Sequence, residues 1–276
     1  MNTQLSANDI DIDRCLLGKK LYGDDFTPEE IDAWFRDEQE GYYNLGPKNR
    51  SSHRYLHHAL DWMHGFSALP RKSFRHVLGF GSACGDEFLP IASGVSRITI
   101  LEPSDGFVVK DIGGTSVEYV KPAPNGRMPF ADGSFDLITC LAVLHHIPNV
   151  SVVIGEIFRC LEPGGFALIR EPVSSMGDWR QPRKGLTSRE RGIPLSLLRK
   201  MISQAGFQVL REGPCVFPLT SRLNYFLKPP VFNSKFWTYA DGVVSRLPLW
   251  PERYHRARWF HKFAPSCAFF VLQKSS

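Results

Sequence analysis

The sequence lacks three features that would point to a membrane or secreted protein. It has no apolar run of the roughly 20 residues that a transmembrane helix needs. Its first residues, MNTQLSANDIDID, are acidic and contain no apolar segment of the kind found in secretory signal peptides. Its six cysteines are scattered singly, without a Cys-X-X-Cys pair, which indicates reduced thiols. Together these absences predict a soluble, cytoplasmic protein.

Internal repeats and low-complexity segments are also absent, and 276 residues can hold one large α/β domain with additions. The net charge of +5 is unevenly placed. Residues 1–45 carry eleven Asp or Glu against four Lys or Arg, whereas residues 219–263 carry eight Lys or Arg against two acids. Either these two charged regions pack together, or the basic one meets an anionic partner.

The stretch Met128–Glu171 carries the clearest pattern in the sequence. A turn leads into an apolar run, which is followed by a loop, a helical segment over about 152–161, a Pro-Gly-Gly turn and a second apolar run. This order predicts a βαβ unit with parallel strands. His145 and His146 follow the first run and Glu171 follows the second. The three side chains are therefore predicted at the carboxyl edge of the sheet, where ligands bind.

The segments MPFADGSFDLI, AVLHHIPN and RCLEPGG stand in the order and spacing of one protein family. With them, the stretch from Phe74 to Gln273 resembles the class I S-adenosylmethionine-dependent methyltransferases, in the branch that includes quinone-biosynthesis and small-molecule methyltransferases. The alternative is a generic βαβ unit of another doubly wound enzyme. The resemblance implies an α/β fold with a Rossmann-like, doubly wound, seven-stranded sheet. It also implies an N-terminal helical cap (1–70) and a methyltransferase core (71–276), with an insertion over 219–263 in the acceptor region.

The resemblance further implies that S-adenosylmethionine is the cofactor and that a glycine-rich loop binds it, through Gly79, Phe80, Gly81 and Gly85. Glycine allows backbone to approach a ligand without a Cβ in the way. A helix is expected to follow this loop, with its N-terminus facing the carboxylate of the cofactor.

The loop departs from the family pattern at two positions. Gly79 stands where an acid normally lies, and Ala83 replaces the middle glycine. The missing acid leaves the ammonium group of the cofactor without an assigned partner, for which Asp86 and Glu87 are candidates.

Other cofactor contacts follow from the same resemblance. Glu102 ends the second predicted strand about twenty residues after the glycine loop, where a carboxylate can accept both ribose hydroxyls. The alternative for Glu102 is a surface glutamate at a strand end. Pro103 and Leu141, each at a predicted strand end, are expected to line the cofactor site. Asn125 follows the position of the acid that usually contacts adenine, and we expect it to take that contact.

Methyl transfer from a sulfonium is an in-line displacement, so alignment supplies most of the catalysis. A hydroxyl acceptor also benefits from a base, and a histidine with a pKa near neutrality suits that role. Related O-methyltransferases carry a similar His-His pair with an acid from the next strand end, which implies His145, His146 and Glu171 here. We expect one histidine to be the base and the other to form a structural hydrogen bond.

Two helices are predicted before the first core strand, where this superfamily commonly carries a lid. The first begins at the capping box Thr27-Pro28-Glu29-Glu30, and the second runs over about 51–66. One face of the second carries His53, His57 and His64. No carboxylate or cysteine with ligand spacing accompanies them, so no metal is predicted. Residues 174–192 are predicted to form a long loop that gates the acceptor site.

The acceptor is predicted from residues 219–263, which are crowded with aromatic and basic side chains. Aromatic faces suit sugar rings and Arg suits phosphate, so we favour a sugar hydroxyl on a nucleotide-, lipid- or polysaccharide-linked glycan, an anionic acceptor included. A small hydrophobic subdomain with a solvated basic face is the alternative for this segment. A quinone or lipid acceptor is the second hypothesis, and a non-catalytic binding or scaffold protein is the third.

Nucleic acid is not expected as the partner. Enzymes that methylate amino groups of nucleic acids carry an Asn/Asp-Pro-Pro-aromatic motif after the fourth strand, where this chain has Leu141-Ala142-Val143-Leu144. The sequence also lacks a recognisable RNA-binding module. Peripheral contact with a membrane surface is left open, as is the oligomeric state.

Overall fold

The computed structural model describes residues 7–44, 55–179, 181, 183–224, 226–250 and 252–275. At its centre lies one mixed sheet. Its strands are β1 (Phe74–Phe80), β2 (Val95–Leu101), β3 (Asp111–Ile112), β4 (Thr115–Val120), β5 (Phe135–Leu141), β6 (Leu161–Pro172), β7 (Phe207–Cys215) and β8 (Cys267–Lys274).

The strand order is β3-β4-β2-β1-β5-β6-β8-β7. Neighbouring strands from β4 to β6 are parallel, and β8 runs antiparallel between β6 and β7. The predicted α/β, doubly wound class is confirmed. The sheet has one more strand than the seven expected, because the two-residue β3 pairs antiparallel with β4. Gly113 and Gly114, both with positive φ, form the tight turn between them.

The helices are α1 (Ala7–Leu16), α2 (Pro28–Glu38), α3 (Gly41–Asn44), α4 (His58–His64), α5 (Val150–Cys160), α6 (Leu195–Ala205), α7 (Pro218–Leu223) and α8 (Lys235–Ser245). No described helix combines the length and the apolarity needed to cross a membrane. The predicted start of the second helix near residue 51 lies outside the described residues, and α4 is its described part.

Apolar side chains cover both faces of the sheet. On one face α5 and α6 pack through Val153, Ile157 and Leu198, which are fully buried. On the other face, Leu60 of α4 packs with Val231 and its neighbours. The helical period of apolar residues in α5 predicted the first of these layers.

The N-terminal cap is anchored at the carboxyl edge of the sheet. The predicted capping box is present, with Glu30 N–H donating to Thr27 Oγ1 and Thr27 N–H donating to Glu30 Oε2. Trp34 of α2 is fully buried, and its indole N–H donates to the carbonyl of His146 at 2.7 Å. The cap is therefore fixed to the loop that carries the two candidate catalytic histidines.

The helix expected after the glycine loop is replaced by two short 3₁₀ turns, Asp86–Phe88 and Ala92–Gly94. Pro90 closely follows the first of these turns, and a proline has no N–H to continue the hydrogen bonds of a helix. The expectation that a helix N-terminus faces the carboxylate of the cofactor was therefore wrong for this chain.

Candidate active site

The candidate site lies at the carboxyl ends of β1, β2, β5 and β6, where a main cavity of about 430 Å³ opens beside a smaller side cavity of about 110 Å³. Several residues singled out in the sequence line the main cavity: Gly81, Glu102, Pro103, Leu141, His145 and His146. The side cavity is more apolar, and Phe80, Leu101 and Pro124 form part of its wall. Glu38, the last residue of α2, and Gln39, which follows it, line both cavities.

Four other predicted residues lie outside both linings. Glu171 is fully buried behind His145, Gly79 lies within β1, and Gly85 packs against Ile112 of β3. Asn125 is exposed, and its Oδ1 accepts a hydrogen bond from Arg127 N–H within a local turn. The structure thus gives Asn125 a turn-forming contact rather than a place in the side cavity.

Gly81 and Gly85 must each be glycine, but for different physical reasons. Gly81 has φ +64°, and a Cβ there would lie 2.4 Å from the side chain of Val143, so only glycine fits beside the His-His loop. Gly85 has φ +70°, and a Cβ there would lie 2.4 Å from Ile112 Cδ1. Gly85 is therefore required by packing against β3, whereas Gly81 also borders the main cavity.

Glu102 occupies the end of β2 with little exposure. Its Oε2 accepts a hydrogen bond from Ala83 N–H and its Oε1 accepts one from Ser104 N–H, each at 3.1 Å. A carboxylate has about four lone-pair positions, so each oxygen keeps one for a further donor such as a hydroxyl. Burial raises the pKa of Glu102 to about 7, and a ligand that donates to it would favour the ionised form.

Glu87 is a buried acid in the 3₁₀ turn that follows the glycine loop. A Cβ at Gly79 would lie 2.4 Å from Ser82 Oγ, so the position where the family pattern has an acid cannot hold a side chain here. Thr139 pairs with Gly79 across the sheet and its hydroxyl donates to Glu87 Oε1 at 3.3 Å. The Glu87 carboxyl thus lies beside the place of the missing acid, and it borders the main cavity.

Glu171 organises the loop after β5. Its Oε1 accepts hydrogen bonds from Val143 and Leu144 N–H, both at 2.8 Å, and its Oε2 faces His145 N–H at 3.3 Å and His145 Nδ1 at 2.8 Å. All of its acceptor positions are used within the chain, and its side chain has no exposure. Glu171 therefore positions the His-His loop and does not meet a substrate.

His145 is held between two carboxylates. Nδ1 faces Glu171, and Nε2 lies 3.5 Å from Glu190 Oε1. Burial alone lowers the pKa of an imidazole, but the bonds to Glu171 and Glu190 outweigh it and raise the pKa of His145 to about 9. At neutral pH His145 is protonated, so it cannot act as the base.

His146 has the opposite environment. Burial, followed by the positive charge of His145, holds the pKa of His146 below its ordinary value of 6.5, so the ring is neutral at pH 7. Nδ1 lies 2.9 Å from Glu38 Oε2 and 3.3 Å from Thr187 Oγ1. With the Nδ1 proton directed to Glu38, Nε2 carries the lone pair that can accept a proton. The structure therefore favours His146 as the base of the pair.

The loop predicted over 174–192 completes this arrangement. Arg189 N–H donates to Glu38 Oε1 at 2.8 Å, which fixes the carboxylate that faces His146. Arg191 is fully buried, and its guanidinium donates to the carbonyls of Tyr22, His145 and Ile147. One arginine thus ties the cap, the loop and the His-His segment together.

His145, His146 and Glu190 also place potential ligand atoms within 4.8 Å of one another, a spacing that a metal ion could use. The two ring nitrogens of His145 already face carboxylates. The contacts within the chain describe an acid–histidine network, and the absence of a metal from the site stays a prediction.

Glu38 and Glu190 were not identified from the sequence, although each faces a histidine of the pair. Glu38 lies 108 residues from His146. An acid in the last turn of an amphipathic helix carries no local signal, because its partner is set by how the cap docks. Glu190 lies three residues after Thr187, and its carboxylate accepts a hydrogen bond from Thr187 N–H. In the sequence, this acid is indistinguishable from one that only stabilises a turn of an Arg-rich loop.

Comparison with known proteins identifies the central domain. The model of a methyltransferase domain matches residues 78–169, which span β1 to β6 with the glycine loop, Glu102 and both histidines. This part of the chain is a methyltransferase domain, and its fold is that of the class I S-adenosylmethionine-dependent methyltransferases. S-adenosylmethionine is the cofactor of this class.

Two curated relatives of this chain differ in the acceptor that their names state. Sterol 24-C-methyltransferase ERG6 of Saccharomyces cerevisiae is 27% identical over 153 residues, which are 46% of this chain and 40% of that protein. The ubiquinone biosynthesis O-methyltransferase of Burkholderia pseudomallei is 22% identical over 179 residues, 59% of this chain and 76% of that protein. The chain thus spans well under two thirds of the yeast relative.

Solved structures support the fold. An S-adenosylmethionine-dependent methyltransferase of Mesorhizobium loti has a TM-score of 0.53 at 13% identity and covers 77% of this chain and 97% of its own. The [4+2]-cyclase SpnF has a TM-score of 0.54 at 18% identity, and the match covers 90% of this chain and 96% of the cyclase chain. Because a cyclase shares the fold, the reaction has to be argued from the site itself.

The residues of the methyltransferase site fit the cofactor. Glu102 retains one acceptor position on each oxygen, Gly81 leaves no side chain at the edge of the main cavity, and apolar residues such as Phe80 and Leu101 wall the side cavity. The bound cofactor supplies a sulfonium methyl group that a nucleophile can attack. Glu102 would hold its ribose, the apolar walls its purine, and Glu87 is the buried acid available to its ammonium group.

Proposed function

We propose that the protein transfers a methyl group from S-adenosylmethionine to a hydroxyl group of a small-molecule acceptor, with His146 as general base. The observation that carries the proposal is His146 itself: it is neutral at pH 7, lines the main cavity, and has Nδ1 held by Glu38. Its Nε2 can take the hydroxyl proton as the oxygen attacks. A binding-only role would not need a histidine oriented in this way.

For the acceptor we propose a lipophilic phenol, quinol or lipid hydroxyl. The expected sugar hydroxyl rested on residues 219–263, but no described residue of that segment lines the main cavity. The segment reaches the cavity indirectly, since Phe232 stacks on His57 at 5.6 Å and His57 lines the wall. The two relatives named above act, by their names, on sterol and ubiquinone-pathway acceptors, which supports the lipophilic class.

An acceptor panel tests this proposal. Transfer of a labelled methyl group should be measured with lipophilic phenols and quinols, with nucleotide- and lipid-linked sugars, and with sterols. We expect O-methylated product from the first group, and product from the sugars alone would return the acceptor to the glycan hypothesis. Cofactor binding without transfer to any class would instead support the binding or scaffold hypothesis.

We also propose that Glu87 binds the ammonium group at the amino-acid end of the cofactor. Glu87→Gln should weaken S-adenosylhomocysteine binding at least tenfold, about 1.4 kcal/mol, because an ionic hydrogen bond is lost. It should change the affinity for 5′-methylthioadenosine little, because that nucleoside lacks the amino-acid end. Calorimetric titration with both ligands gives the comparison.

Two further variants control this titration. Glu102→Ala should weaken both ligands at least about tenfold, since both contain the ribose. Asp86→Asn tests the other sequence candidate, which is half-buried rather than buried. If Asp86→Asn weakened S-adenosylhomocysteine selectively and Glu87→Gln did not, the ammonium partner would be Asp86.

A further inference from the structure

In the helix α8, polar residues are buried and apolar residues are exposed. Its buried face consists of small and polar residues, Thr238, Asp241, Gly242 and Ser245. Its exposed face carries Phe236, Tyr239 and Val243, with exposed fractions of 71%, 65% and 47%. Spacings of three and four residues place these three side chains in one stripe. A helix of a water-soluble domain normally has the reverse arrangement.

The inward orientation of the polar face is fixed by specific bonds. Asp241 accepts hydrogen bonds from Val216 N–H at 2.9 Å and Phe217 N–H at 2.7 Å, and from the Thr220 hydroxyl. The Thr238 hydroxyl donates to the carbonyl of Val231. Rotating α8 to bury its aromatic residues would leave the Asp241 carboxylate and two backbone N–H groups without these partners, at a large free-energy cost.

The apolar stripe continues beyond the helix, and it stands in a cationic segment. Leu247 and Leu249 follow it with exposed fractions of 42% and 71%. Residues 219–263 carry eight Lys or Arg against two acids, and one of these acids is the buried Asp241. Lys235 and Arg246 flank the stripe at the two ends of α8, and both are exposed.

We propose that the outward face of α8, formed by Phe236, Tyr239 and Val243, docks onto an anionic membrane surface together with the exposed Leu247 and Leu249 that follow the helix. Aromatic and aliphatic side chains enter the interface between headgroups and acyl chains, while flanking Lys and Arg attract anionic lipids. A second copy of the chain is disfavoured as occupant because two cationic surfaces would meet. Nucleic acid would use the cations but not the apolar stripe.

This docking surface lies close to the candidate active site. The inner face of α8 contacts the turn Val231–Asn233 through the Thr238 hydroxyl. Phe232 of that turn stacks on His57, which lines the main cavity. Membrane docking would therefore bring the cavity wall near the lipid phase. This part of the inference rests on the proposed lipophilic acceptor, whereas the docking itself does not.

Vesicle flotation of the whole chain without acceptor tests the docking. One set of vesicles contains phosphatidylcholine alone, and the other contains phosphatidylcholine mixed with phosphatidylserine. We expect the chain to float with the mixed vesicles at least about tenfold more strongly, and high salt should weaken this. The double variant Phe236→Ser/Tyr239→Ser should lose at least about tenfold of the mixed-vesicle partition.

A matched pair of valines separates the stripe from general surface apolarity. Val243→Ser should weaken flotation, whereas Val152→Ser, at a helical position of α5 with 42% exposure, should not. Unchanged affinity for S-adenosylhomocysteine would show that each variant is folded. Equal flotation of wild type and double variant, or none for either, would overturn the proposal. So would a wild-type dimer that the double variant dissociates, which would make a second copy the occupant.

Discussion

His146→Ala is expected to lower kcat by about 10²–10⁴ while the variant still binds the cofactor, because the substitution removes the base. The wild-type rate should rise with pH as His146 loses its proton. Because the pKa of His146 lies below 6.5, the midpoint of this rise should lie below pH 6.5, and the profile should then level off towards pH 9, where His145 titrates. Single-turnover rates across pH provide the measurement.

Glu38→Gln provides a second readout for the same base. The Glu38 carboxylate raises the pKa of His146, so its removal should move the rising limb of the pH profile to lower pH and also lower the plateau. His76→Ala, which removes a histidine that lines neither cavity, should leave kcat near the wild-type value. A flat profile and a retained rate in His146→Ala would mean that alignment alone drives transfer. Loss of turnover on chelation, restored by a divalent ion, would instead assign the histidines to a metal.

Glu171→Gln is expected to lower the free energy of unfolding by roughly 3–5 kcal/mol, the cost of breaking a buried charged hydrogen-bond network. The amide cannot accept from Val143, Leu144 and His145 at once, because its NH₂ group would face backbone N–H donors. The effect of this substitution is therefore mainly on stability, and any loss of rate follows from the displaced loop. Chemical denaturation at neutral pH measures it.

The pH dependence of stability gives a further check on this network. The folded-state pKa of His145 is raised to about 9, above its ordinary value of 6.5. The stability that the protonated His145 contributes to the folded state is thus fully present below pH 6.5 and is lost as pH rises towards 9. The wild type should lose stability across this window, and Glu171→Gln should lose less. Glu118→Gln, at an exposed pair with Arg97, should cost under about 1 kcal/mol. If Glu171→Gln were equally mild, Glu171 would not organise the loop.

The strands of the core could be predicted because their signals are local. The run Phe135–Leu141 is apolar almost throughout, and β5 has the same bounds. The ends of β5 and β6 in turn brought His145, His146 and Glu171 to one edge of the predicted sheet. The turn chemistry at Thr27 was equally readable, because a capping box lies within four residues.

What sequence reasoning missed depends on contacts between distant segments. The roles of the two histidines follow from Glu38 and Glu190, which arrive from the cap and from the long loop. The helix after the glycine loop was expected from the family resemblance, although Pro90 is a local signal against a helix there. The burial of the polar face of α8 could not be predicted from the sequence of the helix, because the buried partners of Asp241 lie 21 to 25 residues earlier.

The position of the cap has a consequence for the order of events in turnover. Glu38 and Gln39 border both cavities, Glu40 accepts a hydrogen bond from Ser104 at 2.8 Å, and Ser104 N–H donates to Glu102. On the proposed function, nucleoside and acceptor would therefore exchange past the same covering segment. We expect an ordered kinetic scheme in which S-adenosylhomocysteine leaves last and inhibits competitively against S-adenosylmethionine but not against the acceptor.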